Sequence, residues 1–359
     1  MTTRQAKETI SEHRDLEIRR QIYGGGAFAR LDEGDDRVFY EVDRTVQHLD
    51  RSALDTVTAI IESLVVEARP RVLDLMASWD SHLPACLEPQ QVVGLGLNRR
   101  ELAANHRLDQ RIVHDLNKDP HLPFPEAFFD VVINTVSVDY LIKPFAVVAE
   151  VARILRPGGL FLVIFSNRFF PEKVVHVWRT ASEAERVFIV QDYLRSSPLM
   201  TPPQDFASLG RPRPEGDRYD GLGLPSDPVF AVWAERTGAP INRPHRHPPV
   251  IDSPELPKAE ILEARQSAVA SSLICPYCNE SLRKWSVPQT PFTEWDAAFM
   301  YICFNDRCPY VVRGWDAMER QGNRGMSYRL MYNPANDRCT PVPVPSLKAL
   351  RDGIVDDRR

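Results

Sequence analysis

Four cysteines in two pairs, Cys275-Pro276-Tyr277-Cys278 and Cys303-Phe304-Asn305-Asp306-Arg307-Cys308, have the types and spacing that most directly imply chemistry. A C-x2-C and a C-x4-C turn each aim two sulfurs to one side, and two such pairs can close a tetrahedron around Zn²⁺. With four cysteine ligands no coordination position stays open to water, so a structural metal is expected. A redox-active C-x2-C is the competing reading, but it leaves the second pair without a purpose. Cys86 and Cys339 stand apart and read as free thiols. A second group of candidates consists of polar residues that end apolar runs: Asp74 in RVLDLMASWD, Asp115 after Arg111-His114, and Asn134 after Phe129-Ile133.

Positioning these polar residues requires strands. Short apolar segments at Arg71-Leu75, Val92-Leu95, Arg111-His114, Phe129-Asn134 and Leu160-Phe165 alternate with helical stretches, which predicts a parallel sheet covered on both faces. An amphipathic helix is predicted from about Val46 to Val66, another over Phe145-Leu155, and two more near 172–179 and 182–194. Pro228-Arg236 reads as the last strand, and the proline-dense stretch before Asp227 as a long loop leading to it. The expected boundaries are an arm over 1–44, a domain over 45–236, a proline-rich linker and helix over 237–268, a zinc ribbon over 269–346 and a tail over 347–359.

The 359 residues are 43% hydrophobic and 26% charged, an ordinary globular composition, with a net charge of −5. That balance disfavours a chain that coats nucleic acid through a basic surface. Aromatic residues near the cysteines (Tyr277, Trp285, Trp295, Phe299, Tyr301, Trp315, Tyr328, Tyr332) could stack on bases, but so small a module needs them for its core. The longest apolar run, Leu160-Phe165, is too short to cross a bilayer, and MTTRQAKETI has no hydrophobic signal region. A cytoplasmic protein without membrane partners is expected.

Several motifs follow one another in a recognisable order. Asp74 ends the first strand; Asp115 opens a D-x-x-x passage that continues through Leu122-Pro123-Phe124 to Phe129-Asp130; Leu155-Arg156-Pro157-Gly158-Gly159 precedes the fifth strand. In these features residues 45–236 resemble class I S-adenosylmethionine-dependent methyltransferases of the methyltransferase type 11 kind. The resemblance implies a Rossmann-like seven-stranded α/β sheet with helices on both faces. It sets Asp74 and the backbone of Leu75, Met76, Ala77 and Trp79 beside the methionine part of the cofactor, and Asp115 with Leu116 at the adenine. Asn134 to Asp139 would lie beneath the sulfonium. Asp139, Tyr140, Asn167 and Arg168 are the polar residues nearest the implied crevice, with Asp139 as a proton acceptor and Arg168 as a holder of an anionic substrate.

Two features depart from the family pattern. Met76, Ser78 and Asp80 stand where relatives carry glycines, and Gly96 stands where an acidic residue grips the ribose, leaving Asn98 as a neutral substitute. Trp79 reads either as a lid over the ligand or as core. The chain is therefore expected to transfer a methyl group from S-adenosylmethionine to a small-molecule or protein acceptor, with the zinc ribbon recognising substrate or partner. The alternative is a non-catalytic interaction protein built on a degenerate methyltransferase fold, and a weaker third reading is nucleic-acid modification guided by the ribbon.

Overall fold

The computed structural model describes residues 19, 21–219, 224–239, 244–249, 256–288, 297–323 and 326–355. Trp295 and parts of the expected arm, linker and tail lie outside them. The chain divides into two compact units, one of residues 1–48, 57–207 and 229–249, the other of 49–56, 208–228 and 250–359.

The first unit is organised around strands β1 (Arg71–Leu75), β2 (Gln91–Gly96), β3 (Gln110–Val113), β4 (Phe129–Thr135), β5 (Leu155–Phe165), β6 (Gln204–Ser208) and β7 (Val229–Glu235). They form one sheet in the order β3-β2-β1-β4-β5-β7-β6. β1 to β5 run parallel and β7 antiparallel to β5. β1, β2 and β4 are buried almost throughout, which explains why they read as continuous apolar runs and not as alternating ones. The chain leaves β1 toward β2 and β3, then returns to add β4 on its other side. The strand order therefore reverses between β1 and β4, whose carboxyl ends carry Asp74 and Asn134 and where such sheets form a ligand crevice.

The elements depart from the sequence reading in three instructive places. Helix α2 (Arg51–Leu64), which follows the one-turn α1 (Asp36–Phe39), starts after Asp50 and not at Val46, because the Asp50 carboxylate accepts from the Ala53 amide and caps it. β6 occupies part of what read as loop. The LRPGG passage ends α4 (Pro144–Ile154) but belongs to β5, forming a break in the β4–β5 register with Gly158 at φ 81°. Helices α3 (Arg99–Ala104), α5 (His176–Thr180) and α6 (Glu183–Arg195) complete this unit. No helix among the described residues is long and apolar enough to cross a membrane.

In the second unit, short helices α7 (Ala259–Ser267) and α8 (Val269–Ser272) precede β8 (Arg283–Ser286) and β9 (Phe299–Ile302). Helix α9 (Pro309–Arg320) follows the second cysteine pair, and β10 (Ser327–Asn333) with β11 (Arg338–Val344) completes an antiparallel sheet in the order β11-β10-β9-β8. The one helix predicted before the cysteines is two, and α9 lies within the stretch read as a zinc ribbon. Cys275, Cys303 and Cys308 sit in one apolar cluster with Val311, Val312, Trp315 and Leu330.

Candidate functional site

In the first unit the site begins with the loop after β1. Met76, where relatives place a glycine, has φ 63°, so the chain takes the left-handed turn a glycine would take and bears the strain of a side chain there. Ala77 donates to the Leu95 carbonyl, 2.8 Å, and its own carbonyl faces Gly96 so closely that a Cβ at Gly96 would collide with it. Gly96 is therefore required by the loop packing. Ser78 donates to Glu101, 2.6 Å, and Glu101 also accepts from the Arg44 amide, 2.7 Å. Trp79 is half-buried.

Asp74 is buried and accepts from Ser81 at 2.6 Å; Ser81 in turn accepts from Asn105 at 2.9 Å. Burial pushes the Asp74 carboxyl up to about 6, against the lowering effect of the Ser81 hydroxyl. Asn98 caps α3, its Oδ1 accepting from the amides of Arg100 and Glu101, while its Nδ2 donates to the Tyr40 carbonyl and to Asp43. Its polar atoms are thus engaged within the protein.

Beyond β3, one oxygen of Asp115 accepts from the amides of Asn117 and Lys118. The other, Oδ2, is buried and accepts no hydrogen bond, with the Lys118 ammonium 3.8 Å away. Leu116 is buried beside it in sequence. After β4, Asn134 donates to the Leu75 carbonyl, 3.0 Å, and to Ser137, 2.9 Å, which joins the β1 and β4 loops; its Oδ1 is buried and unpartnered. Asp139 is 2% exposed with an unpartnered Oδ2, and burial pushes its carboxyl up to about 7. Tyr140 is buried and its hydroxyl accepts from the Phe170 amide, 2.9 Å. Arg168 is half-buried, and Asn167 is exposed and donates to Glu183.

Residues of the arm, to which the sequence analysis assigns no site residue, also reach these elements. Asp36 of α1 pairs with Arg30 (2.7 Å) and with the fully buried Lys173 (3.1 Å), and accepts from Asn117 (2.8 Å), two residues from Asp115. Phe39, Tyr40 and His48 pack against Phe170 or Tyr140. Aromatic residues in an otherwise polar arm were the available signal.

In the second unit the four cysteine sulfurs lie within 4.8 Å of one another. Cys275 and Cys308 are 3.8 Å apart, Cys278 and Cys303 3.6 Å. These separations are too long for a disulfide, whose S–S bond is about 2.05 Å. They fit a tetrahedron with Zn–S of about 2.3 Å, which sets sulfurs roughly 3.8 Å apart. The first turn is closed by the Asn279 amide on the Cys275 carbonyl, with Asn279 at φ 63°, and the second by the Cys308 amide on the Asn305 carbonyl. The donor set is suited to Zn²⁺, and the other two cysteines lie outside the cluster.

Residues 79–163 match the family model described as a methyltransferase domain. The matched residues include β2, β3, β4 and most of β5 of the seven-stranded, mostly parallel sheet, so this part of the chain is similar to a methyltransferase domain. The match starts just past Asp74 to Ser78, where the usual glycines are missing. Among solved structures, similarity extends to a chain of a Haloferax volcanii complex between a methyltransferase activator and a putative methyltransferase, at 16% identity over 52% of this chain and 91% of that one, TM-score 0.38. It extends also to a putative methyltransferase from Bacillus halodurans (11%, 52% and 99%, TM-score 0.36) and to an S-adenosylmethionine-dependent methyltransferase from Mesorhizobium loti (16%, 51% and 100%, TM-score 0.34). Likenesses this distant assign no ligand or partner to this chain. No curated protein matches the sequence.

Proposed function

We propose that this protein is an S-adenosylmethionine-dependent methyltransferase whose acceptor lies over Asn134 to Tyr140, and whose cysteine module is a structural zinc site that recognises the substrate or a partner. The observation that carries the reading is Asp115 Oδ2, a buried carboxylate oxygen that accepts no hydrogen bond and has only the Lys118 ammonium, 3.8 Å away, as a charged neighbour. An unpaired buried acceptor costs free energy, and the exocyclic amine of an adenine is a donor of the kind it lacks. Asp74 and the left-handed turn at Met76 would hold the methionine end, and Asn134 with Asp139 would present oxygens to the acceptor. The ribose has no charged partner at Gly96, so the fit is weakest there.

When bound, S-adenosylmethionine supplies a methyl group already activated on a sulfonium, so the protein needs chiefly to align the acceptor and exclude water. Asp139, with its carboxyl near neutrality, is suited to hold an acceptor proton at Oδ2. Calorimetric titration with S-adenosylmethionine and S-adenosylhomocysteine tests the reading. Binding that weakens about tenfold or more in Asp115→Ala supports it; no heat at millimolar ligand, with unshifted thermal melts, overturns it. The close packing of Ala77 on Gly96 favours a second reading, a methyltransferase fold kept as a non-catalytic scaffold, and that negative result would establish it.

A further inference from the structure

The arm sets Arg44 among aromatic rings, and the Lys173 ammonium also lies over one of them, 5.4 Å from the Phe39 centroid. The guanidinium carbon of Arg44 lies 4.6 Å from the ring centroid of Phe39, 5.3 Å from Phe170 and 5.5 Å from Tyr40. His48 meets Phe170 edge-on at 5.5 Å, and Tyr140 stacks on Phe170 at 6.0 Å. Of its five N–H groups, Arg44 commits donors to the carbonyls of Phe39 and Val42, both in its own segment, and no carboxylate among the described residues pairs with its guanidinium. The arm is fastened without that guanidinium, through the Arg44 amide on Glu101, Asn98 on Tyr40 and Asp43, and the Lys173–Asp36–Asn117 group.

Two buried oxygens, one in the box and one on β4, have no hydrogen-bond partner. Tyr40, one wall of the box, has a buried and unpartnered hydroxyl, and the Asp139 carboxylate acts electrostatically on it. Asn134 Oδ1, on the same segment as Asp139, is likewise open. Ring faces attract cations through their quadrupoles, and unpaired oxygens favour N–H donors. Arg186, whose guanidinium lies over the rings of Phe169 and Trp178, is the cation that Asp139 already senses, but the two form no ion pair.

We propose that Phe39, Tyr40 and Phe170 form a subsite for an organic cation carried by the methyl acceptor, an amine or a guanidinium, and that Arg44 fills this subsite when no acceptor is present. The proposal rests on the methyltransferase reading only in calling the cation the acceptor's. Full-length protein is titrated with methylguanidinium and with its uncharged isostere methylurea. Arg44→Ala should bind methylguanidinium at least about tenfold more tightly than the wild type, should not bind methylurea, and should lose the gain when Phe170→Leu is added. If Arg44→Ala melts early, Arg44→Met keeps the packing stem and serves instead. Equal binding by wild type and variant, or equal binding of the urea, overturns the subsite. Saturating S-adenosylhomocysteine should change the methylguanidinium affinity of the variant about threefold or more, since ligands in adjoining sites are coupled reciprocally; no change removes the assignment to the acceptor. S-adenosylmethionine titrated into the same samples reports separately on the methyltransferase reading, which fails alone if only that heat is missing.

Discussion

The carbonyl of Ala77 sits against the Cα of Gly96, leaving no room for a side chain at the end of β2. The missing ribose carboxylate and the glycine-free first loop, which look in the sequence like two separate losses, are thus one arrangement: the loop leans on the strand end, and the strand end must be glycine. Gly96→Asp, which would restore the family's acidic residue, is expected to destabilise the protein by about 1–3 kcal/mol through overpacking and not to strengthen cofactor binding. A thermal melt beside a calorimetric titration checks this. Unchanged stability with tighter binding would show that the loop yields freely.

Met76 bears the backbone cost of the same arrangement. At φ 63° a β-branched side chain is more strained than an unbranched one, so Met76→Val is expected to lose about 1–2 kcal/mol. Met76→Gly relieves the strain, offset by greater freedom in the unfolded chain, and should be neutral or stabilising by up to about 1 kcal/mol. Chemical denaturation of the two variants tests the sign. A glycine variant less stable than the valine one would mean that the Met76 side chain, not its backbone, holds the loop.

The metal module makes an independent prediction. Four thiolates this close repel one another unless a cation lies between them, so the purified protein should carry about one zinc per chain. Cys303→Ser replaces a buried sulfur of the cluster and should drop the metal content and loosen the second unit by several kcal/mol. Elemental analysis with a melt in the presence and absence of chelator measures both. Metal-free protein with an unchanged melt would rule out a structural zinc.

Much of this was legible in the sequence, for definable reasons. The strands β1, β2, β4 and β5 are buried on both faces and so appear as unbroken apolar runs; the four cysteines carry their spacing openly. β6, QDFAS, is exposed at three of its five positions, lies in a proline-dense stretch and pairs at the sheet edge, so neither periodicity nor apolar length marks it. Helix α9 begins at Pro309 and contains Gly314, residues that usually signal breaks. Asn98 shows another limit: its type suits a ribose hydroxyl, but whether a side chain is free depends on where the arm runs, and Tyr40, Asp43 and the α3 amides have taken its polar atoms. The part of Arg44 and its ring neighbours depends on contacts between arm and sheet that local pattern does not encode.

Asp139 supplies a prediction with a definite sign. Its carboxyl is raised in the folded state to about 7 from an ordinary 3.8, and the cause is burial. Between those values the folded protein holds a proton that the unfolded chain has released, so stability falls as pH rises from about 4 to about 7 and levels off above. Asp74, raised to about 6 by burial, contributes in the same direction over the lower part of that window. Asp80 and Glu150 are shifted the other way by His82 and Arg153, so the whole-protein profile mixes both signs. The difference between Asp139→Asn and wild type isolates the one group. Asparagine cannot ionise, so the variant should gain on the wild type as pH rises from 4.5 to 8, by up to a few kcal/mol on the scale of about 1.4 kcal/mol per pKa unit. If Asp139 holds the acceptor's proton, the same variant should lose methyl transfer while keeping its affinity for S-adenosylmethionine, because the proposed cofactor contacts are Asp74 and Asp115. A stability difference independent of pH would mean that the Asp139 carboxylate is already ionised in the folded protein, and loss of cofactor affinity would mean that it supports the loop and not the acceptor.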